Sequence, residues 1–123
     1  LPAVEGNAKI PDGLGQKASR PTSLEGDRML GIVATLKVKP GMEGPFEAVA
    51  KELVAKVNAH EPGCVLYALH RAEAPHTYVF LERYVDQAAV DAHRATDYFK
   101  ALGRQMGEFM DGRPEVLRLR EVE

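Results

Sequence analysis

Residues 78–100 read YVFLERYVDQAAVDAHRATDYFK, and the fold turns on this run. Its opening is rich in aromatic and branched residues, which suit a pleated, half-buried strand. Strand alternation puts Tyr78, Phe80, Glu82 and Tyr84 on one face and Val79, Leu81 and Arg83 on the other. The first face is unusual because a carboxylate sits among aromatics. Asp86 reads as a helix N-cap, since its side chain can accept from the first free backbone N–H groups. His93 follows two helical turns later, and Asp97 four residues after that. A strand that delivers a carboxylate and a helix that delivers a histidine can build a small polar site inside an apolar pocket. A kink around residues 94–96 leads into a second helical stretch over 97–110, whose apolar side is Phe99, Leu102, Met106, Phe109 and Met110.

Upstream, residues 29–39 alternate as a strand, with Leu30, Ile32, Ala34, Leu36 and Val38 on one face. Pro40-Gly41 ends it. Over residues 43–59, Phe46, Val49, Ala50, Leu53, Val54 and Val57 recur at helical spacing. After Pro62-Gly63, residues 64–71 form a second strand, with Val65, Tyr67 and Leu69 alternating against Cys64, Leu66, Ala68 and His70. The polar run Glu73-Ala74-Pro75-His76 predicts a hairpin into the strand at 78. Beyond a turn at 111–114, residues 115–122 form the last strand.

The order is β-α-β-β-α-β, an α+β ferredoxin-like arrangement. Two helices cover one sheet face. The other is expected to stand bare while carrying Ile32, Ala34, Leu36, Phe80 and Tyr84, and a bare apolar face of that size calls for a partner. A twofold homodimer, with two sheets closing into a dimeric α/β barrel, is the simplest cover. The domain spans residues 29–123. Residues 1–28, with three prolines, four glycines and no sustained period, read as an irregular N-terminal arm.

At 123 residues the chain is one domain's worth and large enough for a real hydrophobic core. A net charge of −2 gives no electrostatic case for nucleic acid. One cysteine, Cys64, excludes an internal disulfide and a multi-cysteine metal site. No apolar run approaches the roughly 20 residues of a membrane span. The cytoplasm is the default location, although a start at Leu1 rather than Met leaves a cleaved leader open.

Three segments carry a resemblance: VATLKVKPG (residues 33–41), EPGCVLY (61–67) and FLERYVDQAAVDAH (80–93). In order and spacing they resemble the antibiotic biosynthesis monooxygenase superfamily of dimeric α/β-barrel domains. That resemblance implies a quinol-monooxygenase-like protein working on a small molecule and O2 without a cofactor or metal. Other members degrade haem or isomerise a phosphorylated signalling molecule. The chain departs from the family in places. Ala34 stands where oxygenating members often carry asparagine. Gly103 stands where haem-degrading members carry an axial histidine, and there is no tryptophan. Asp97 stands at or beside the place of a second histidine.

His93 titrates near neutrality and is the candidate base. Glu82 is either a pocket carboxylate that orients His93 or the substrate, or a salt-bridge partner across the dimer. Tyr67 and Tyr84 are candidate donors to a substrate oxygen, although lone tyrosines are more often core residues with a satisfied hydroxyl; Phe80, Ala34 and Phe99 complete the expected substrate pocket. His70 and His76 read as solvated, and with His60 in the turn before the second strand the four histidines lack metal-ligand spacing; Cys64 reads as a small buried hydrophobe. Arg118 and Arg120 read as edge-strand charges. The expected function is oxygenation of a small hydroxylated aromatic or quinol. The alternatives are proton-transfer isomerisation of a small carbonyl compound, or non-catalytic ligand binding by a dimer.

Overall fold

The computed structural model describes residues 28–122. The N-terminal arm, apart from Arg28, therefore lies outside the described residues. In chain order the elements are β1 (Leu30–Lys37), α1 (Glu43–His60), β2 (Cys64–Arg71), β3 (Thr77–Tyr84), α2 (Gln87–Ala95), α3 (Asp97–Gly107) and β4 (Glu115–Arg120). The strands form one antiparallel sheet in the order β2-β3-β1-β4. This is the expected α+β ferredoxin-like arrangement.

The helices begin and end where local chemistry dictates. The Asp86 carboxylate accepts from the Ala89 N–H at 2.9 Å, which caps α2. The kink expected near residue 95 is a complete break. There the Thr96 hydroxyl donates to the His93 carbonyl at 2.9 Å and accepts from the Phe99 N–H at 3.2 Å. One side chain thus finishes α2 and starts α3.

Phe46, Ala50, Leu53 and Val57 of α1 pack with Leu102 and Met106 of α3 against Leu36, Tyr67, Tyr78 and Phe80. A smaller cluster joins Ile32, Tyr84 and Val90 under α2. The face bearing Ile32, Ala34, Leu36, Phe80 and Tyr84 is therefore the helix-covered face, which corrects its expected exposure. Alternation groups the residues of a strand into two faces, but the path of the crossover helices decides which face they cover. The uncovered face is the opposite one. Across it, Ala68, Leu81, Val33 and Leu117 lie in one row over all four strands, beside Leu66 and Leu119. Leu117 is 58% exposed and Leu119 46%.

β2 departs from plain alternation. Cys64 pairs with Tyr84 and Leu66 with Arg83, so Val65 is the extra residue of a bulge. Cys64 and Tyr67 consequently share the helix-covered face, although simple alternation would separate them. Just ahead of the bulge, Gly63 sits against α2: a Cβ at this position would lie 2.8 Å from the Cβ of Ala89. Gly63→Ala is expected to cost about 1–3 kcal/mol through overpacking. Ala89→Gly in the same chain should recover part of that loss in a urea-unfolding series. An unchanged midpoint for Gly63→Ala would show that α2 is not held by this contact.

Candidate active site

Three elements converge on His93. It lies in the last turn of α2 and is 3% exposed. Its ring is flanked by Phe99, Tyr67 and Tyr84, with centroids 4.6, 5.2 and 5.6 Å away. Its Nδ1 faces both carboxylate oxygens of Glu61, at 2.9 and 3.1 Å. Glu61 is the residue that ends α1. The Tyr98 hydroxyl donates to the same carboxylate.

This geometry fixes the tautomer. An ionised carboxylate only accepts, so Nδ1 carries the proton and Nε2 keeps its lone pair. Burial pulls the His93 pKa below its ordinary value; Glu61 opposes the pull and Arg94 adds to it. The imidazole is therefore neutral at pH 7, with a basic Nε2 that makes no hydrogen bond among the described residues. Tyr98 is pushed up to about 12 by burial and by its bond to Glu61, so it remains a donor.

His93 lines a cavity of about 390 Å³ between the sheet and the α2–α3 pair. Ile32, Ala34, Leu36, Phe80, Phe99 and Met106 supply most of its apolar wall. Glu82, Arg94 and Tyr67 are its other polar side chains. At this size the cavity falls at the small end of ordinary ligand pockets. Val116 of the edge strand β4 also lines it and is 49% exposed, so the cavity is open on the β4 side.

Glu82 accepts from the Tyr84 hydroxyl at 2.7 Å. Burial raises its pKa to about 7, against the counter-effects of Tyr84 and Arg94. Near neutral pH it is thus poised between acid and carboxylate, and it can donate or accept. The raised pKa fixes a sign for stability. The folded state holds this proton more tightly than the unfolded chain, so the contribution is complete below 4.5 and is lost as pH rises through about 7. Glu82→Gln, which can still accept from Tyr84, should therefore match the parent at pH 4.5. At pH 8 it should exceed the parent by up to ~3 kcal/mol, less whatever partial exposure screens. Urea midpoints of both proteins across this range check it, and parallel curves would refute the buried carboxyl.

The structure brings together His93, Glu82, Tyr67, Phe80, Ala34 and Phe99 around one cavity. Tyr84 is the exception among the expected pocket residues. It is fully buried behind the wall, and its hydroxyl is committed to Glu82. The hydroxyl of Tyr67, by contrast, makes no hydrogen bond among the described residues. Glu82 is not what orients the His93 ring, because Glu61 does that. Glu61, Tyr98 and Arg94 were missed as site residues. The one available signal was a carboxylate directly before the Pro62-Gly63 turn, at the mouth of a strand. Cys64 donates its thiol to the Leu66 carbonyl at 3.3 Å, and burial raises its pKa to about 12. It behaves as a small apolar residue, not a thiolate nucleophile. His60, His70 and His76 are exposed and lie outside the cavity.

Comparison with known proteins bears on the same region. The model of the family described as "Antibiotic biosynthesis monooxygenase" matches residues 29–105. A crystal structure from Caulobacter crescentus CB15, named "putative antibiotic biosynthesis monooxygenase", superposes with a TM-score of 0.76 at 46% identity, over 79% of this chain and 92% of that one. "Putative monooxygenase YcnE" of Bacillus subtilis is 28% identical over 73% of this chain and 95% of its own length. An uncharacterized Synechocystis protein, sll1783, is 28% identical over 74% of this chain, which spans only 57% of that relative's length.

Proposed function

The chain belongs to the antibiotic biosynthesis monooxygenase family, and from that premise we propose that it oxygenates a small hydroxylated aromatic or quinol with O2 alone. The observation that carries the proposal is His93: a buried, neutral imidazole, tethered through Nδ1, whose Nε2 is free at an apolar cavity.

His93 Nε2 takes the hydroxyl proton of the bound substrate. The phenolate is electron-rich and passes one electron to O2. The radical pair closes to a peroxide at a ring carbon that bears hydrogen. Loss of that C–H proton breaks the O–O bond and leaves a ring carbonyl. The departing oxygen takes up protons, one of them from the His93 imidazolium, and leaves as water. One O2 gives one product oxygen and one water, and the substrate supplies all four electrons. Glu61 stabilises the transient imidazolium, and Tyr98 holds Glu61 in place. The apolar wall admits O2. Oxygen uptake with a panel of dihydroxynaphthalenes tests the proposal; no uptake on any member would sink it.

One observation supports a second chemistry at the same site. Glu82 near its pKa and a neutral His93 form an acid–base pair able to isomerise a carbonyl compound without O2. Conversion that proceeds equally well under anaerobic conditions would favour it.

The working unit in this proposal is a homodimer joined through the uncovered sheet face. The row Ala68, Leu81, Val33 and Leu117 has no helix over it among the described residues, and a contiguous apolar face of that kind marks an interface. Among the described residues no helix is long and apolar enough to cross a membrane. The protein is proposed to work in the cytoplasm.

A further inference from the structure

The cavity has a charged rim that the oxygenation steps above do not use. Arg94 follows His93 directly and lines the same cavity. His93 is buried, whereas Arg94 is exposed, so the two mark the inner and outer ends of the polar wall. The guanidinium acts electrostatically on both Glu82 and His93, yet it makes no hydrogen bond or ion pair within the described residues. The two nearby carboxylates are engaged elsewhere. Glu61 holds His93 and Tyr98, and Glu82 holds Tyr84. The bland account of Arg94 is a solvated cation that favours the C-terminal end of the α2 dipole. That account needs no cavity, whereas the position of Arg94 at the rim of a largely apolar cavity that also carries His93, Glu82 and Tyr67 gives it a place to act on a ligand.

We propose that Arg94 is a specificity-determining residue that pairs with a carboxylate on the substrate, so that the preferred substrate is a small hydroxylated aromatic acid. This rests on the cavity being the substrate site. The acid group would sit at the rim on the guanidinium, whose planar fork fits a carboxylate in two parallel hydrogen bonds. The ring would then enter among Phe80, Phe99 and Met106, with its hydroxyl towards His93. One contact at the mouth would thus choose the substrate and set which end of it reaches the base. The apolar wall strengthens such a pair by keeping water away from one side.

The test uses two probes of like shape, 6-hydroxy-2-naphthoate and 2-naphthol, titrated calorimetrically into the full chain without turnover. The acid should bind roughly tenfold or more tighter than the neutral probe. Arg94→Gln should bring the ratio of the two affinities close to one, and Arg94→Lys should keep part of it, as a point charge without the fork. Equal affinities in the parent protein, a ratio unchanged in Arg94→Gln, or no binding of either probe would each overturn the proposal. The oxygenase proposal fails separately. A ratio controlled by Arg94 with no oxygen uptake on any phenol sinks the oxygenase and leaves the anchor standing. Oxygen uptake equally fast on both probes, and indifferent to Arg94→Gln, does the reverse.

Discussion

His93→Gln is expected to lower kcat for oxygen-dependent turnover by roughly 10²- to 10⁴-fold, the range for loss of a positioned general base. Glutamine approximates the size of imidazole and can still reach Glu61, so the cavity and the fold should survive. Its amide has no basic nitrogen at the position of Nε2, so the first proton has nowhere to go. KM should change far less than kcat, because the loss falls on the transition state. Stopped-flow oxygen uptake with thermal unfolding as a control measures both. An unchanged kcat would remove His93 from the chemistry. Equal losses of binding and fold would reduce it to a buried packing residue. A companion substitution, Glu61→Gln, tests the tether: it should lower kcat less than His93→Gln does and move the acidic limb of the pH–rate profile downward, since the imidazolium loses its counter-charge. The sign follows because a less stabilised imidazolium gives up its proton at lower pH.

The second large effect concerns assembly. Leu81→Arg combined with Leu117→Arg should convert a dimer into monomers at micromolar concentration, weakening association by a factor of at least ~1,000. The two residues flank Val33 in the cross-strand row at the centre of the uncovered face. A twofold interface repeats each charge, so four guanidinium groups would meet a face whose counterpart offers leucine and valine. Burying unpaired charge costs several kcal/mol each. The helix-covered core, built from Phe46, Leu53, Tyr78 and their neighbours, lies on the other side and is untouched. Light scattering after size exclusion reads the outcome. A parent protein that is already monomeric, or a double variant that stays dimeric, would refute this face as the interface.

Much of the architecture was legible because it rests on short-range chemistry. The Asp86 cap, the break before Asp97, the hairpin at 73–76 and the stripe of α1 all follow from neighbours a few positions apart. His93 and Glu82 were legible as candidate partners because a strand and the helix that follows it deliver a carboxylate and a histidine a short stretch of chain apart. Three features were not. The bare face was assigned to the wrong side because alternation has no sign until the helices choose one. The bulge at Val65 was hidden in a run that alternates acceptably either way. The Glu61–His93 contact joins residues 32 positions apart. Nothing local to either residue announces it, since only the folded sheet brings the end of α1 beside the end of α2.

The bulge in β2 also bears on how this site tolerates insertion and deletion. From Leu66 onward the strand is locked by its ladder to β3. A chain lacking Val65 would close the bulge: Cys64 would directly precede Leu66 and still pair with Tyr84 on the helix-covered face, so the Glu61 turn would keep its place beside the imidazole. The base would keep its tether in a chain one residue shorter, because the residue lost is the one that the ladder leaves unpaired. Relatives one residue shorter between the end of α1 and Tyr67 are expected to carry a plain strand there and to keep the same tether on the histidine.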